Sequence, residues 1–473
     1  QLRSAGFGEV YEQAPVGLSV HEGIKIAKAA IEEKEKQEGT EEAQKKSITE
    51  HIFLIPSIKA NNKFAHVVID YSGVAEYFES TAGGKISEPA KQRVREILEI
   101  SSWPKVNNEH LTMFQDDWVQ RDTPDKCYLY YKNGTVCISK DGYTFQERTA
   151  ETTIWKSLVL QRDFRDIDHL HPAADLAKKC IVDYKQFQIG IGYLMHRYWF
   201  RNITKIVWAC DHKPQAGHDG RRGKDLFTTL VQECRNLTAV KWKRGHNFWT
   251  GSILPDTSIV HFEDTSSFLI SDEEIKKAIS GTLNIEGKGR DIITRQFKDK
   301  PKFSASCQTM PADYMDNSIR GRVWLIEFTD FLQKNAPKDI LVYDDEDKSP
   351  FDRWMIDCVH VYFKNIEAMI GTPGLTDDQK KESCRIRFGK PIIDAVDMCK
   401  IALDEDGYCP VKDIQEVIGS GERDARSVEK FQRCFELLEG KKLVKKRSFL
   451  HGNRTYVFEL QDVEKSEETA LPF

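Results

Sequence analysis

The strongest constraint on the fold is the stretch Ile203–Glu233, ITKIVWACDHKPQAGHDGRRGKDLFTTLVQE. Its apolar run IVWA predicts a short buried strand. Polar and glycine-rich residues follow, then Gly223-Lys224, then a segment with helical spacing of apolar residues. This order is typical of a loop whose backbone N–H groups and lysine hold phosphate. His218 and Asp225 stand where the usual pattern has Gly and Ser or Thr, so a basic surface turn is the alternative.

Length and composition limit the classes of protein. A chain of 473 residues predicts roughly three domains of about 150 residues each. The net charge of −5 carries no global nucleic-acid signature, so contact with DNA requires local basic patches. No apolar run is long enough to span a bilayer, and no signal peptide is recognisable. The eleven cysteines are scattered without a CxxC pair, which favours reduced thiols, a cytoplasmic location and no zinc site.

Residues 1–105 are predicted to form an N-terminal region of unclear role. His21–Lys36 has helical spacing, HIFLIPSI and FAHVVIDY predict strands, and Ser87 precedes an amphipathic helix. The start at Gln1, without a methionine, leads us to expect a longer upstream protein.

Residues 106–200 are predicted to form a second N-terminal domain of mixed structure. The segment CYLYYKNGTVCISKDGYTF predicts a β-hairpin with Asn133-Gly134 at its turn. A mostly apolar helix, FQIGIGYLMHRYW, then ends just before the strand of the phosphate-type loop.

A pair of acids ends the next apolar run. In SIVHFED a predicted strand runs directly into Glu263 and Asp264, about forty residues after Lys224. Hydrolases of nucleotides need one carboxylate for Mg²⁺, usually through water, and an adjacent one that polarises the attacking water. A strand that leaves the core into an acidic turn is the alternative.

A basic segment with one aromatic residue follows the acid pair. Basic side chains around Phe297 suit contact with the backbone of a single strand of nucleic acid, and a solvated charged hairpin is the alternative. The residues of this segment are Lys288, Arg290, Arg295, Phe297, Lys298, Lys300 and Lys302. FSAS then predicts a strand that ends near Gln308, and Arg320 and Arg322 precede a further strand, VWLIEF.

The C-terminal part divides into a helical extension at 346–384 and a compact unit at 385–462. The second has three predicted helices and two strands, the pattern of a winged helix. Such units bind DNA or dock other proteins, and we prefer DNA because the two strands are rich in lysine and arginine. Residues 463–473 are predicted to be disordered.

In this order, several segments resemble the superfamily 3 helicases of viruses, phages and mobile elements, in particular their primase-associated branch. The segments lie between about 110 and 460 and are TTIWKSLVLQRDF, IGYLMHRYW, GRRGKDLF, IVHFED, GRDIITRQFKDKPKFSASCQTMP and SIRGRVWLIEF followed by SPFDRWM. The resemblance implies an α/β fold with an AAA+ ATPase core at 201–345, which binds ATP and Mg²⁺, assembles as a hexameric ring and translocates on single-stranded DNA.

The resemblance also implies roles for individual residues. Glu263, Asp264 and Gln308 would serve hydrolysis, with Asp225, Glu263 and Asp264 as the candidate metal ligands. Arg320 or Arg322 would be the arginine finger that reaches the nucleotide of a neighbouring subunit. The basic segment would face the pore and contact DNA. The candidate nucleotide contacts are Gly220, Arg221, Arg222, Gly223, Lys224, Asp225 and Leu226.

Two functions are therefore open. The first is an ATP-dependent DNA helicase of a phage, viral or mobile-element replication system, working at a replication fork in the host cytoplasm, with a possible primase or polymerase module. The second is a degenerate subunit that binds nucleotide and DNA and positions or loads a primase. Asp225, His218 and Gln308 motivate the second, because each departs from the usual motif: Gln308 stands where the family's sensor strand typically ends in Asn.

Overall fold

The computed structural model of the chain describes residues 50–56, 64–81, 85–100, 108–115, 118–147, 152–214, 222–224, 230–243, 249–254, 256–286, 292–335, 348–419, 425–450 and 453–461. The helix predicted at His21–Lys36 and the disordered tail predicted at 463–473 lie outside these ranges. The candidate site residues that also lie outside them are His218, Gly220, Arg221, Asp225, Leu226, Lys288 and Arg290.

The strands and α-helices are numbered in chain order. The strands are β1 (Ile52–Pro56), β2 (Phe64–Ile69), β3 (Val74–Phe78), β4 (Cys127–Tyr131), β5 (Thr135–Ser139), β6 (Gly142–Gln146), β7 (Ile154–Trp155), β8 (Val159–Leu160), β9 (Ile206–Asp211), β10 (Leu237–Val240), β11 (Ile259–Phe262), β12 (Leu283–Ile285), β13 (Ile293–Arg295), β14 (Lys302–Ser306), β15 (Val323–Phe328), β16 (Cys409–Pro410), β17 (Lys442–Leu450) and β18 (Asn453–Gln461). The helices are α1 (Glu88–Ile97), α2 (Ala173–Cys180), α3 (Tyr184–Met195), α4 (Glu273–Ser280), α5 (Asn317–Arg320), α6 (Phe331–Asn335), α7 (Ser349–Lys364), α8 (Asp377–Phe388), α9 (Lys390–Asp406), α10 (Val411–Val417) and α11 (Ala425–Glu439).

The chain divides into two compact units. The first comprises Gln1–Gln120, Arg148–Val159 and Gly289–Asp291, and the second comprises Arg121–Glu147, Leu160–Lys288 and Ile292–Phe473. Among the helices in the described ranges, none combines the length and apolarity needed to cross a membrane. All eleven cysteines are free thiols.

The first unit contains a sheet in the order β1-β2-β3-β7. Both strands predicted from HIFLIPSI and FAHVVIDY are present and pair antiparallel as β1 and β2. The predicted helix is also present as α1, and the Ser87 hydroxyl caps it by accepting a hydrogen bond from the Ala90 N–H. Val94 and Leu98 of this segment are buried against Ile52, Leu54 and Val68.

A parallel sheet forms the centre of the second unit, in the order β10-β11-β14-β9-β15. Strands β9, β11, β14 and β15 are short and almost fully buried, as expected when helices cover both faces of a sheet, whereas the edge strand β10 is partly exposed. The strands predicted from IVWA, SIVHF, FSAS and VWLIEF are all present. Because every neighbouring pair is parallel, the carboxyl ends of the five strands lie along one edge.

Alternating side chains of β9 serve two different cores. Val207 and Ala209 face a core that contains α3 and α7, whereas Ile206 and Trp208 face a core that contains α4. Helices α3 and α7 pack closely because Gly192 has no side chain. A Cβ there would lie 2.4 Å from the Cys358 carbonyl oxygen. The fold is therefore mixed α/β with a parallel sheet, as the sequence predicts.

The predicted hairpin is present beside this sheet. Strands β4, β5 and β6 pair antiparallel in sequence order, and Asn133-Gly134 forms the turn between β4 and β5. The Asn133 side chain accepts a hydrogen bond from the Phe164 N–H at 2.8 Å and donates one to the Phe164 carbonyl at 3.0 Å. These bonds fix the turn against the following segment.

The C-terminal part has the predicted elements. Helices α9, α10 and α11 surround a core, and β17 and β18 form an antiparallel hairpin that β16 extends to three strands. Helix α8 precedes this core and contributes Cys384 to it. A capping box at Thr376 and Gln379 begins α8.

Candidate functional site

Three of the predicted site segments meet at the carboxyl edge of the parallel sheet. Phe262 of β11 lies opposite Ala305 of β14, which in turn lies opposite Trp208 of β9. The acid pair, Gln308 and the residues after β9 therefore follow three adjacent strands. Beyond the last register pair, the Asp211 N–H donates to the Gln308 carbonyl at 3.1 Å. Ligand sites of open α/β sheets form at such an edge.

Lys224 lies at this edge of the sheet. Residues 224 and 230–232 are helical, and Leu230 and Val231 pack on the same sheet face as Val207 and Ala209. The Lys224 ammonium is buried and lies 2.6 Å from Oδ1 of Asp211, the last residue of β9. The sequence pattern did not single out Asp211, although an acid that directly ends an apolar run was visible in IVWACD.

Gly223 is required by the backbone beside the lysine. Its φ of +92° lies in a region that residues with a Cβ rarely adopt. A Cβ there would also lie 2.6 Å from Cδ1 of Leu332, so even alanine needs a shift of that side chain. The glycine predicted before Lys224 therefore has a conformational reason.

Arg222 is a second buried cation beside Asp211, in addition to Lys224. One of its terminal nitrogens, Nη1, donates to the His212 carbonyl at 2.7 Å. Its Nε lies 3.9 Å from Oδ2 of Asp211, is buried, and has no hydrogen-bond acceptor among the described residues. Arg222, Lys224 and Asp211 together carry one surplus positive charge in a buried position. A surplus charge with an unsatisfied donor suits an anionic ligand, since burial without a partner is costly.

The acid pair turns away from the core where β11 ends. Glu263 is half-buried and Asp264 is exposed. Asp264 has a φ of +40°, and its N–H donates to the Ser306 hydroxyl at 3.2 Å. A positive φ at a non-glycine residue is a strained conformation, and such conformations concentrate at functional sites. Hydrogen bonding to β14 holds this turn in place.

Metal ligands are sparse among the described residues. They contain no group of three His, Cys, Asp or Glu side chains that could hold a metal ion. The two carboxylates after β11 fit Mg²⁺ only if phosphate oxygens and water complete its shell, which is how Mg²⁺ commonly binds beside nucleotides. Asp225, the third candidate ligand, lies outside the described residues.

Arg320 and Arg322 lie at the opposite edge of the sheet, before the amino end of β15. The Arg320 guanidinium donates to the carbonyls of Pro373 and Met315 at 2.8 and 3.0 Å. Arg322 donates to the Ser280 hydroxyl and the Ser318 carbonyl. Since β15 has six residues, it separates these arginines from the Lys224 edge by about 20 Å. Neither arginine can serve the site of its own chain.

The basic segment is divided between exposed and buried positions. Lys298 is exposed, whereas Arg295 is half-buried and donates to the carbonyls of Asp299 and Leu254, both at 3.3 Å. Phe297 is half-buried, and its ring contacts Trp199 at 5.5 Å between centroids. Protein contacts thus cover part of the ring, and its stacking on nucleic-acid bases stays a prediction.

The position of Lys300 contradicts the prediction that this lysine contacts DNA. It is only 4% exposed, and its ammonium donates to the carbonyls of Ala278, Ile279 and Gly281 at the end of α4. Burial lowers the pKa of Lys300 to about 7. A lysine directed into the core cannot contact DNA phosphates, so that prediction is wrong. The alternation of basic and apolar residues did not reveal which lysine faces inward.

A second network joins the start of the loop to α8. His212 Nδ1 lies 3.0 Å from Oε1 of Glu327, and Gln379 Nε2 donates to the other Glu327 oxygen at 3.2 Å. Arg385 of α8 donates to the Pro214 carbonyl at 3.0 Å. The sequence alone did not indicate these contacts, because the residues are far apart in the chain and match no motif.

No protein-family model matches the chain, and no curated protein matches it. Among solved structures, the chain is similar to the C-terminal region of phage NrS-1 at 12% identity and a TM-score of 0.42, covering 88% of this chain and 98% of that one. It is also similar to the JC virus helicase at 13% identity and a TM-score of 0.23, covering 43% of this chain and 66% of that one. Both TM-scores are low, so neither likeness says how this site works.

Proposed function

We propose that the chain is an ATP-driven DNA helicase of a phage, viral or mobile-element replication system, acting as a ring on single-stranded DNA. The observation that carries the proposal is the carboxyl edge of the parallel sheet. Buried Lys224 and Arg222 follow one strand there, and the acids Glu263 and Asp264 end a strand two places away. This separation suits phosphates on one side and a metal with its water on the other.

Each residue of the edge has a distinct task. Lys224 neutralises the terminal phosphates, and the backbone at Gly223 lets them approach the start of the helix. Glu263 and Asp264 hold Mg²⁺ through water and accept a proton from the attacking water. Gln308, between the two strands, offers an amide that hydrogen-bonds the γ-phosphate or that water. When bound, Mg²⁺ offsets negative charge on the phosphate oxygens.

A ring follows from the place of the arginines. Arg320 and Arg322 precede β15, at the edge opposite Lys224, so either can reach a nucleotide only in another copy of the chain. An arginine supplied from a neighbour stabilises charge in the transition state of phosphoryl transfer. We propose six copies, by resemblance to superfamily 3 helicases. On assembly the finger must exchange its bonds to its own chain for bonds to phosphate.

The C-terminal unit is proposed to be a winged helix that contacts DNA. Its three helices and hairpin have the required order. Tyr456 of β18 is 47% exposed, with the Lys445 ammonium 4.6 Å from its ring centroid and Arg447 opposite it in the hairpin. Exposed cations around an aromatic ring suit phosphates and bases of a nucleic acid.

The test of the main proposal is hydrolysis of ATP by the full chain with and without single-stranded DNA. Lys224→Ala removes the charge that neutralises the terminal phosphates, so stimulated hydrolysis should fall to background. Lys381→Ala is a suitable control, because that lysine pairs with Asp397 on an exposed surface. If folded wild-type protein hydrolyses no ATP, the helicase proposal is wrong.

One observation favours the non-hydrolysing alternative. Lys224 is already held by Asp211, which competes with phosphate for the ammonium. Asp225→Ser distinguishes the two functions. In a working hydrolase this change keeps or raises activity, because a hydroxyl ligates Mg²⁺ without adding negative charge beside the β-phosphate. In a scaffold subunit whose loop no longer binds nucleotide it produces no hydrolysis.

A further inference from the structure

The Asp211–Lys224 pair poses a problem for any phosphate that enters the site. Both side chains are buried, and the lysine must leave the carboxylate to reach a phosphate oxygen. A buried carboxylate that loses its cation is strongly destabilised. Repulsion from the arriving phosphates adds to this cost. Binding of nucleotide therefore requires a second cation for Asp211.

Arg222 is placed to be that cation. We propose that phosphate binding drives an exchange of ion pairs, in which Lys224 moves from Asp211 to the phosphates and Arg222 closes onto Asp211. Arg222 is then a positioning residue that frees the lysine, and not a phosphate ligand itself. This inference rests on the proposed nucleotide site, and it assigns to Arg222 a role different from the one that the loop pattern implies.

The geometry around Arg222 supports the exchange. Its Nε is 3.9 Å from Oδ2 of Asp211, the carboxylate oxygen not bonded to Lys224, and has no acceptor among the described residues. A shift of about 1 Å would bring these atoms to hydrogen-bond distance. The Nη1 bond to the His212 carbonyl already holds the guanidinium beside the end of β9.

The chemistry of the two cations fits this division of roles. Arginine stays charged at all relevant pH values and can bind a carboxylate with two parallel N–H groups. Lysine is a compact charge on a long stem and can swing between partners. Asp330, another acid on the segment before α6, is already paired with Lys334 at 2.8 Å, whereas Asp211 lies 3.9 Å from the Arg222 Nε.

The experiment is a double-mutant cycle on binding of a fluorescent non-hydrolysable ATP analogue to the full chain. Arg222→Gln should weaken binding at least about tenfold, because Asp211 loses its replacement cation. Asp211→Asn should bind at least as tightly as wild type, because the lysine no longer has a competing anion. The double variant should bind like Asp211→Asn, because without the carboxylate the arginine is not needed.

Each other outcome overturns the inference. If Arg222→Gln weakens binding equally in the Asp211→Asn background, Arg222 contacts phosphate directly. If it has no effect in either background, there is no exchange. A merely structural role would lower the stability of the nucleotide-free protein without rescue of binding in the double variant. Asp211→Ser replaces Asp211→Asn if the latter does not fold.

Two controls separate this inference from the proposed function. Arg93→Gln removes an arginine from the exposed ion pair with Glu96 on α1 and should leave binding unchanged. Wild-type protein that binds no analogue would overturn the nucleotide site itself. Wild type that binds, with a Lys224→Ala variant that does not, keeps the site and leaves the cycle to decide the exchange.

Discussion

The substitution Lys300→Met tests whether the Lys300 ammonium lines a pore for DNA or is buried at the end of α4. If Lys300 lined a pore, Lys300→Met would reduce stimulation by DNA and leave stability intact. In the structure the ammonium fills the end of α4, beneath Trp199 and Phe297, with centroid distances of 4.1 and 4.5 Å. We expect Lys300→Met to lower the free energy of unfolding instead.

The size of the loss follows from the groups left behind. The side chain of methionine occupies a similar space between the two rings, so the apolar packing is largely kept. At pH 9 the buried Lys300 is a neutral amine with two N–H groups, so two of the three carbonyls of Ala278, Ile279 and Gly281 lose a donor. Each unsatisfied buried acceptor costs about 1 kcal/mol or more, partly relieved by water, so the loss should be about 2–4 kcal/mol at pH 9.

The pH dependence of the loss carries a defined sign. The pKa of Lys300 falls from 10.5 to about 7 on folding, because burial disfavours the charged form. Between these values the unfolded chain binds the proton and the folded chain releases it, so wild-type stability rises with pH. Below pH 7 both states are protonated and the cost of burying the charge is fully present. The contribution of Lys300 should increase by about 2 kcal/mol from pH 7 to pH 9.

Denaturant unfolding, followed by tryptophan fluorescence at pH 7 and pH 9, measures both effects. The difference between wild type and Lys300→Met should be larger at pH 9. Lys298→Met is the matched control, because that neighbouring lysine is exposed and should change stability by less than about 0.5 kcal/mol. Equal stabilities of wild type and Lys300→Met at both pH values, with DNA stimulation lost, would refute the inward placement.

Three further predictions concern the ring and its DNA. Arg320→Ala and Arg322→Ala, assayed separately, should each bind nucleotide with an affinity within about threefold of wild type. The rate of ATP hydrolysis should fall about a thousandfold in the variant that lacks the finger. A protein that is monomeric by light scattering and hydrolyses ATP at full rate would contradict this. Lys288→Ala combined with Lys298→Ala should keep basal hydrolysis but lose its stimulation by DNA, and unchanged stimulation would remove this segment from the DNA path. Tyr456→Ala should weaken binding of single-stranded DNA by about 1–3 kcal/mol in a fluorescence-anisotropy titration; an unchanged affinity would favour a protein partner for the hairpin.

The local elements could be predicted from the sequence because their signals are local. Alternation of apolar and polar residues, Asn133-Gly134 and the helix cap at Ser87 each act over a few residues. Such signals were sufficient for β9, β11, β14 and β15 of the parallel sheet, for the hairpin and for the three C-terminal helices. The fifth strand of that sheet, β10, was not predicted. Glycine beside Lys224 was also predicted, and its φ of +92° supplies the reason.

The tertiary structure decided which side chains meet. The pairing of Asp211 with Lys224 joins two residues thirteen positions apart, and no local pattern encodes it. The place of Lys300 depends on α4, whose carbonyls lie about twenty residues earlier in the chain. The identity of a residue as lysine does not indicate whether its ammonium faces water or caps a helix. Only the packing around it determines which environment it has, because burial is a property of the assembled fold.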